Sequence, residues 1–267
     1  MYEIKDIFPL ILPAFFISLS LVLIHVYFGT KIFERGVIFA DIAIAQSAFL
    51  GSSIAFLIFH DPSKELTYLF GVLSSIFFGI LISSQMEREV VFKEGFVGVI
   101  YALTSSLSVI VLSKLGRESE HIRYMLAGNI LFVSWEDVIR ADLIYFVIGI
   151  LHIIFKPKRR SFVSEFFFFS TFGLVVSSSV SLAGVLLVFS YLIVPVLTSK
   201  LLFSSRYTLL TSYLIALIST LIGFVLSVAK DLPTSPTIIS VCILFFFVAL
   251  FIDSIKNLKK KNQELNS

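Results

Sequence analysis

Few residues of this chain could do chemistry, and those few stand inside apolar sequence. Asp41 interrupts an otherwise charge-free run, and Gln46 follows five residues later. An ionisable group at membrane depth is costly to hold there, so each such residue is a candidate contact for an ion in transit. In a regular helix five residues turn about 500°, which leaves the two side chains roughly 140° apart. They could share one ion only across a π-bulge or with help from another helix. Asp41 has a second reading, in which it snorkels to the cytoplasmic surface or pairs with a base such as Arg35. His25 and His152 also fall inside apolar runs, where a lone imidazole either hydrogen-bonds a neighbouring helix or ligates a metal. Cys242 is the single cysteine, which excludes a disulfide framework and a thiolate cluster and leaves it a packing role.

Catalytic signatures are missing. The chain has no G-x-x-x-x-G-K-[ST] nucleotide loop, no H-E-x-x-H and no G-x-S-x-G. Any energy from ATP must therefore come from another polypeptide, and the chain is expected to be no enzyme and to bind no cofactor of its own.

The elements that must position these residues follow from composition. Of 267 residues, 57% are apolar, only 15% are charged, and mean hydropathy is +0.99. A soluble chain is nearer 45–50% apolar. A bilayer core of about 30 Å needs about 20 apolar residues in a helix, and nine runs qualify: 7–30, 36–59, 66–86, 95–113, 138–155, 163–179, 183–203, 207–229 and 232–252. The fifth is the weakest, because Arg140 and Asp142 occupy its first turns; a count of eight would move the N-terminus inside and leave the rest in place. The run from Phe166 to Ser199 would make one helix of about 50 Å, too long for one crossing, so it must fold back within the segment 177–184. The reading is an all-α integral membrane protein, one polytopic bundle of eight or nine helices forming a single domain over 1–267. The thirty phenylalanines, Phe166 to Phe169 among them, read as lipid-facing packing.

Orientation follows from the basic residues. With the C-terminus in the cytoplasm, fourteen Lys and Arg fall on inner segments, including Lys156, Lys158, Arg159 and Arg160, and seven fall outside. That imbalance favours N-out, C-in. The one long connection, 116–136, lies outside and reads as a cap over the outer mouth, with Trp135 in the headgroup zone. A net charge of +3 gives no reason to expect a nucleic-acid partner.

Five segments carry a resemblance. The run from Glu34 through Asp41 to Gly51, the run Glu94 to Ala102, Gly128 to Leu131, Ala183 to Val188 with Leu192 to Pro195, and Asp231 to Thr234 together resemble the permease subunits of zinc/manganese-type ABC importers. That resemblance implies a homodimer of two permease copies forming the path, a cytoplasmic ATPase subunit that drives it, an extracytoplasmic metal-binding protein that delivers the cation, and a place in the cytoplasmic (inner) membrane of a prokaryote. It implies Zn2+ or Mn2+ as cargo and Asp41 and Gln46 as metal contacts on the translocation path. Two departures stand out. The family's second span often carries Asp four residues before His, and alignment on Gly36 and Gly51 puts Ile42 and Gln46 at those positions. The main cytoplasmic connection, 156–165, is short and basic and lacks the family's coupling-helix pattern, so coupling would fall to it or to Ser204-Ser205-Arg206. A stand-alone secondary transporter or channel for a cation, and a membrane scaffold that transports nothing, are the alternatives.

Overall fold

A computed structural model of the chain describes the backbone of residues 4–115, 130–155 and 161–265. Among these residues nine helices carry the fold: α1 (Ile4–Arg35), α2 (Ala40–Phe59), α3 (Lys64–Ser83), α4 (Val90–Lys114), α5 (Trp135–Ile154), α6 (Phe162–Ala183), α7 (Val185–Leu202), α8 (Thr208–Lys230) and α9 (Thr234–Leu265). Short 3-10 turns at Ile130–Phe132 and Ser205–Tyr207 lead into α5 and α8. Gly128, Asn129, His121 and the basic run 156–160 lie outside the described residues.

Starts are set locally. The Ser63 hydroxyl accepts from the Leu66 amide at the head of α3, Ser161 accepts from Ser164 at the head of α6, and Ser134 with Asp137 closes a capping box on α5. Eight of the nine helices are long and apolar enough to cross a membrane; α5 is the exception. Its 20 residues nevertheless run the depth of the bundle beside α1. Trp135 meets Phe16 at 5.6 Å near one end, and the His152 imidazole meets the Tyr27 hydroxyl at 3.0 Å near the other. With α5 included, the helix ends Arg35, Ser83, Ile154 and Leu202 gather on the face that the basic residues assign to the cytoplasm.

The fold-back falls within the expected segment, at its last residue. The serines at 177–181 are helical, and the break is Gly184 alone, at φ 83, between α6 and α7. In apolar surroundings Ser178 and Ser179 donate to the Val175 carbonyl, at 2.9 and 2.6 Å, and so remain in the helix. A glycine tolerates the positive φ that ends it. The phenylalanine reading also changes: Phe168, Phe169 and Phe172 are buried in the central cluster, and Phe166 faces outward.

Two packed groups share α1, α6 and α7 as a seam. Helix α2 lies against α3 and α4, α3 against α6, and α9 against α8 and α7, while α1 contacts α7, α8 and α5. Close approach is bought by small residues, since lipid offers helices little hydrophobic reason to associate. A Cβ on Gly51 would sit 2.2 Å from the Phe70 carbonyl oxygen of α3, and one on Gly29 would sit 2.0 Å from that of Leu192 in α7. Hydroxyls add links across the seam: Ser177 donates to Ser75 at 3.0 Å, and Tyr191 and Thr220 share a bond of 2.8 Å. Gly51→Ala is expected to force α2 from α3 and cost about 1–3 kcal/mol. Thermal unfolding in nanodiscs reads this, with Gly149→Ala, where a Cβ meets nothing within 4 Å, leaving the midpoint unchanged.

Candidate functional site

The head of α2 lacks a cap of its own. No side chain of the local sequence bonds its first turn, and the amide of Phe39, the residue before the helix, donates instead to Glu94 Oε1 at 3.2 Å. Glu94 belongs to α4, 55 positions along the chain, so a carboxylate from one helix caps another. A negative group suits this place, because the first-turn amides are free and the helix dipole is positive there. Asp41 occupies the same turn and is 2% exposed. Its oxygens face the amides of Asp41 and Ile42 without forming a hydrogen bond of normal geometry.

Gln46 goes elsewhere. It is half-buried, and its amide nitrogen donates to Ser108 Oγ on α4 at 3.4 Å. The helix is regular from Ala40 to Phe59, without a π-bulge, so the angle between Asp41 and Gln46 holds and the two do not converge. Because α2 begins at Ala40 and not at Gly36, Asp41 also lies in the first turn, shallower than the apolar run had suggested. Among the described residues no group of three or more His, Cys, Asp or Glu stands together as a ready metal cage.

Arg35 is committed to another partner. Its Nε donates to Glu165 Oε2 at 2.8 Å, its Nη1 to the Lys31 carbonyl at 3.1 Å, and its guanidinium lies 3.6 Å over the Phe168 ring. The reading of Asp41 as the partner of Arg35 is thereby corrected: the base is held 130 positions away, on α6, in a pair that is 13% and 3% exposed. The pair ties the inner end of α1 to the start of α6. Above it a groove of about 980 Å³ opens between α1, α5, α6 and α8, lined by Tyr27, Lys31, Arg35, Asp142, Tyr145 and His152 among others. His152 bridges Tyr27 at 3.0 Å and Thr171 at 2.8 Å, which makes it a link between helices. His25 bonds the Leu21 carbonyl of its own helix at 2.9 Å. Cys242 is buried and free, as its packing role requires.

Glu94 and Glu165 are the residues that sequence reasoning passed over. Glu94 stood only as the first residue of a family-like segment, with no role of its own, and Glu165 only as a charge at the edge of a span, where solvation is the ordinary account. Glu94 adjoins Lys93, itself 6% exposed, and the burial of a lysine at a span edge has no signature in a single sequence.

The comparisons with known proteins agree with this architecture. A sequence model described as the ABC 3 transport family matches residues 7–167 and 159–253. A membrane protein from the ycf23-apcF intergenic region of Cyanophora paradoxa is 25% identical over 257 residues, which span 90% of this chain and 84% of that one. A probable iron transport system membrane protein of Haemophilus influenzae is 26% identical over 221 residues, 73% of this chain and 80% of that one. Among solved structures, PsaBC from Streptococcus pneumoniae in complex with Fab superposes with a TM-score of 0.70 at 18% identity, over 94% of this chain and 96% of that one. That likeness shows a shared fold.

Removing one member of the Arg35–Glu165 pair strands the other in a buried place. Arg35→Ala and Glu165→Ala are each expected to destabilise the bundle by about 3–5 kcal/mol, and Arg35→Met with Glu165→Leu to restore much of that loss. Thermal unfolding of the four proteins in nanodiscs checks the cycle.

Proposed function

The chain belongs to the ABC 3 transport family, and from that premise we propose that it is the membrane-spanning subunit of an ATP-driven importer for a divalent metal cation, zinc, manganese or iron. The observation that carries the proposal is the family match from residue 7 to residue 253, which leaves almost no part of the bundle outside it. The naming of the Haemophilus influenzae relative for iron transport supports a metal cargo and adds iron to the two cations implied by the sequence. The absence of a nucleotide-binding loop supports a separate cytoplasmic ATPase as the source of energy.

Two further partners complete the proposal. An extracytoplasmic binding protein delivers the cation, and a second copy of this chain completes the path. The outward face of α4 supports the second copy: Gly95 and Gly98 lie on it in open space, and Val91 and Val99 beside them are 85% and 62% exposed. The membrane is the cytoplasmic (inner) membrane of a prokaryote, with the basic helix ends inside. Gln46 contacts the cargo from the α4 side of α2 and Asp41 contacts it at the helix head, at separate points of the route.

The test is reconstitution. The chain is purified with its ATPase in proteoliposomes, and entry of Zn2+, Mn2+ and Fe2+ is followed with a metal-sensitive dye in the presence of the binding protein. Uptake of at least one cation is expected only with ATP, and Gln46→Ala is expected to slow it several-fold. Failure to form a complex with any ATPase, or equal uptake by the chain alone without nucleotide, overturns the proposal; the second result would mark a stand-alone transporter.

A further inference from the structure

The groove between α1, α5, α6 and α8 stands apart from Asp41 and Gln46, neither of which lines it. It opens sideways into the bilayer: α5 packs on α1 and α6, α8 packs on α1, α7 and α9, and α1 forms the floor between them. Leu23, Phe146 and Ile153 line it and are exposed, so its walls at membrane depth are apolar. Its inner end is charged. Arg35 is fixed there by Glu165, by the Lys31 carbonyl and by the Phe168 ring, contacts that use Nε and Nη1. The Nη2 donors make no hydrogen bond among the described residues, and Arg35 lines the groove. Lys31 stands one turn earlier and pairs with Glu34 at 2.9 Å. The three side chains are graded outward: Arg35 is 13% exposed, Lys31 36% and Glu34 56%. The cationic groups therefore lie deep and a carboxylate lies at the rim. Asp142, the other acidic residue of the lining, is ten residues from His152 on α5, about 15 Å towards the opposite end.

We propose that this groove holds one glycerophospholipid of the inner leaflet whose head carries a primary ammonium, as in phosphatidylethanolamine. Its phosphate meets Arg35 Nη2 and Lys31 Nζ, its ammonium meets Glu34, and its tails lie against Leu23, Phe146 and Ile153. A basic pocket between spanning helices on the cytoplasmic side suits a lipid phosphate, and a guanidinium donor strengthens the contact. Glu165 answers Arg35 and Glu34 answers Lys31, so the inner end carries no excess charge. A head with both signs fits such an end better than a purely anionic one. The Lys31–Glu34 pair is exposed and spans a single turn, and pairs of that kind are weak enough to open for a phosphate. An apolar helix of another chain, seated in the same groove, would cover Nη2 without giving it an acceptor; a phosphate supplies one. A lipid held here rests on the Arg35–Glu165 contact and so braces the joint between α1 and α6. The inference does not depend on the transport reading.

The full chain, purified in a non-ionic detergent, is mixed with equal amounts of phosphatidylethanolamine, phosphatidylglycerol and phosphatidylcholine, and lipid-bound protein is counted by native mass spectrometry. Wild type is expected to bind phosphatidylethanolamine at least fivefold more than phosphatidylcholine, whose quaternary ammonium has no proton to donate to Glu34. Glu34→Gln, an exposed change that spares the fold, is expected to erase that preference. Gly149→Trp fills the groove from a position where a Cβ meets nothing within 4 Å, and is expected to cut phosphatidylethanolamine binding at least fivefold. Leu244→Trp, on the exposed side of α9, is expected to leave binding unchanged. Added phosphatidylethanolamine should raise the unfolding midpoint of wild type and not that of Gly149→Trp. Equal binding of the three lipids by wild type overturns the proposal. So does a preference for phosphatidylglycerol, which would mark a plain anionic site, or a preference that survives in Glu34→Gln. Equal loss of binding in Leu244→Trp and Gly149→Trp overturns it as well, because tails would then be held anywhere on the surface. Neither an ATPase nor a metal enters these measurements, so their outcome leaves the transport reading untouched.

Discussion

A charge removed from water must find a partner inside the protein, and the arrangement of this bundle follows from where that succeeds. It succeeds fully at one oxygen of Glu165, which takes Arg35 across the joint between α1 and α6 while Phe168 covers the guanidinium. An arginine suits the place better than a lysine would, because its planar head can bond a carboxylate, cap a carbonyl and stack on a ring at once. The same logic holds for hydroxyls. Buried Ser and Thr side chains mostly return to a carbonyl one turn back, as Ser108 does to Thr104 at 2.7 Å, so that each is satisfied without an external donor. The few that reach across, such as Ser74 to the Ser47 carbonyl at 2.7 Å, sit where glycines already bring the helices close.

Much of the architecture was legible in sequence because lipid is a demanding solvent. A helix that crosses it must be apolar for about 20 residues, and a turn within it is excluded unless protein covers the exposed backbone. Span number and the fold-back near residue 180 follow from those rules. The position of the fold-back was harder. Serine clusters mark turns in water, where their hydroxyls compete for the backbone, but in an apolar setting the same hydroxyls bond the preceding turn and leave Gly184 as the only residue suited to the break. The buried phenylalanines were misplaced for a related reason. Where core and solvent are equally apolar, hydrophobicity no longer tells the inside of a helix from its outside.

The candidate site shows the limit more sharply. Helical geometry alone separates Asp41 from Gln46, and the regular α2 keeps them apart. Gln46 found Ser108, 62 positions along, and the base nearest Asp41 in sequence, Arg35, proved to be engaged by Glu165, 130 positions from it. Local spacing can rule a pair out, but it cannot choose a partner from another helix.

These contacts also suggest how the two ends of a transport cycle could be tied together. Arg35 ends α1, and only four residues separate it from α2, whose head carries Asp41 and is capped by Glu94 of α4. Through Glu165 the same arginine holds the start of α6, which follows the basic run 156–160 in sequence. A displacement applied to the start of α6 would therefore pass through a short, charged linkage to the head of α2, where Asp41 is buried and Glu94 caps the helix. Packed helices have discrete arrangements and do not deform freely, so such a linkage would move the head of α2 as a unit with the end of α1. The charge scarcity of the membrane region then has a mechanical meaning: with so few ionic contacts, each one can act as a joint.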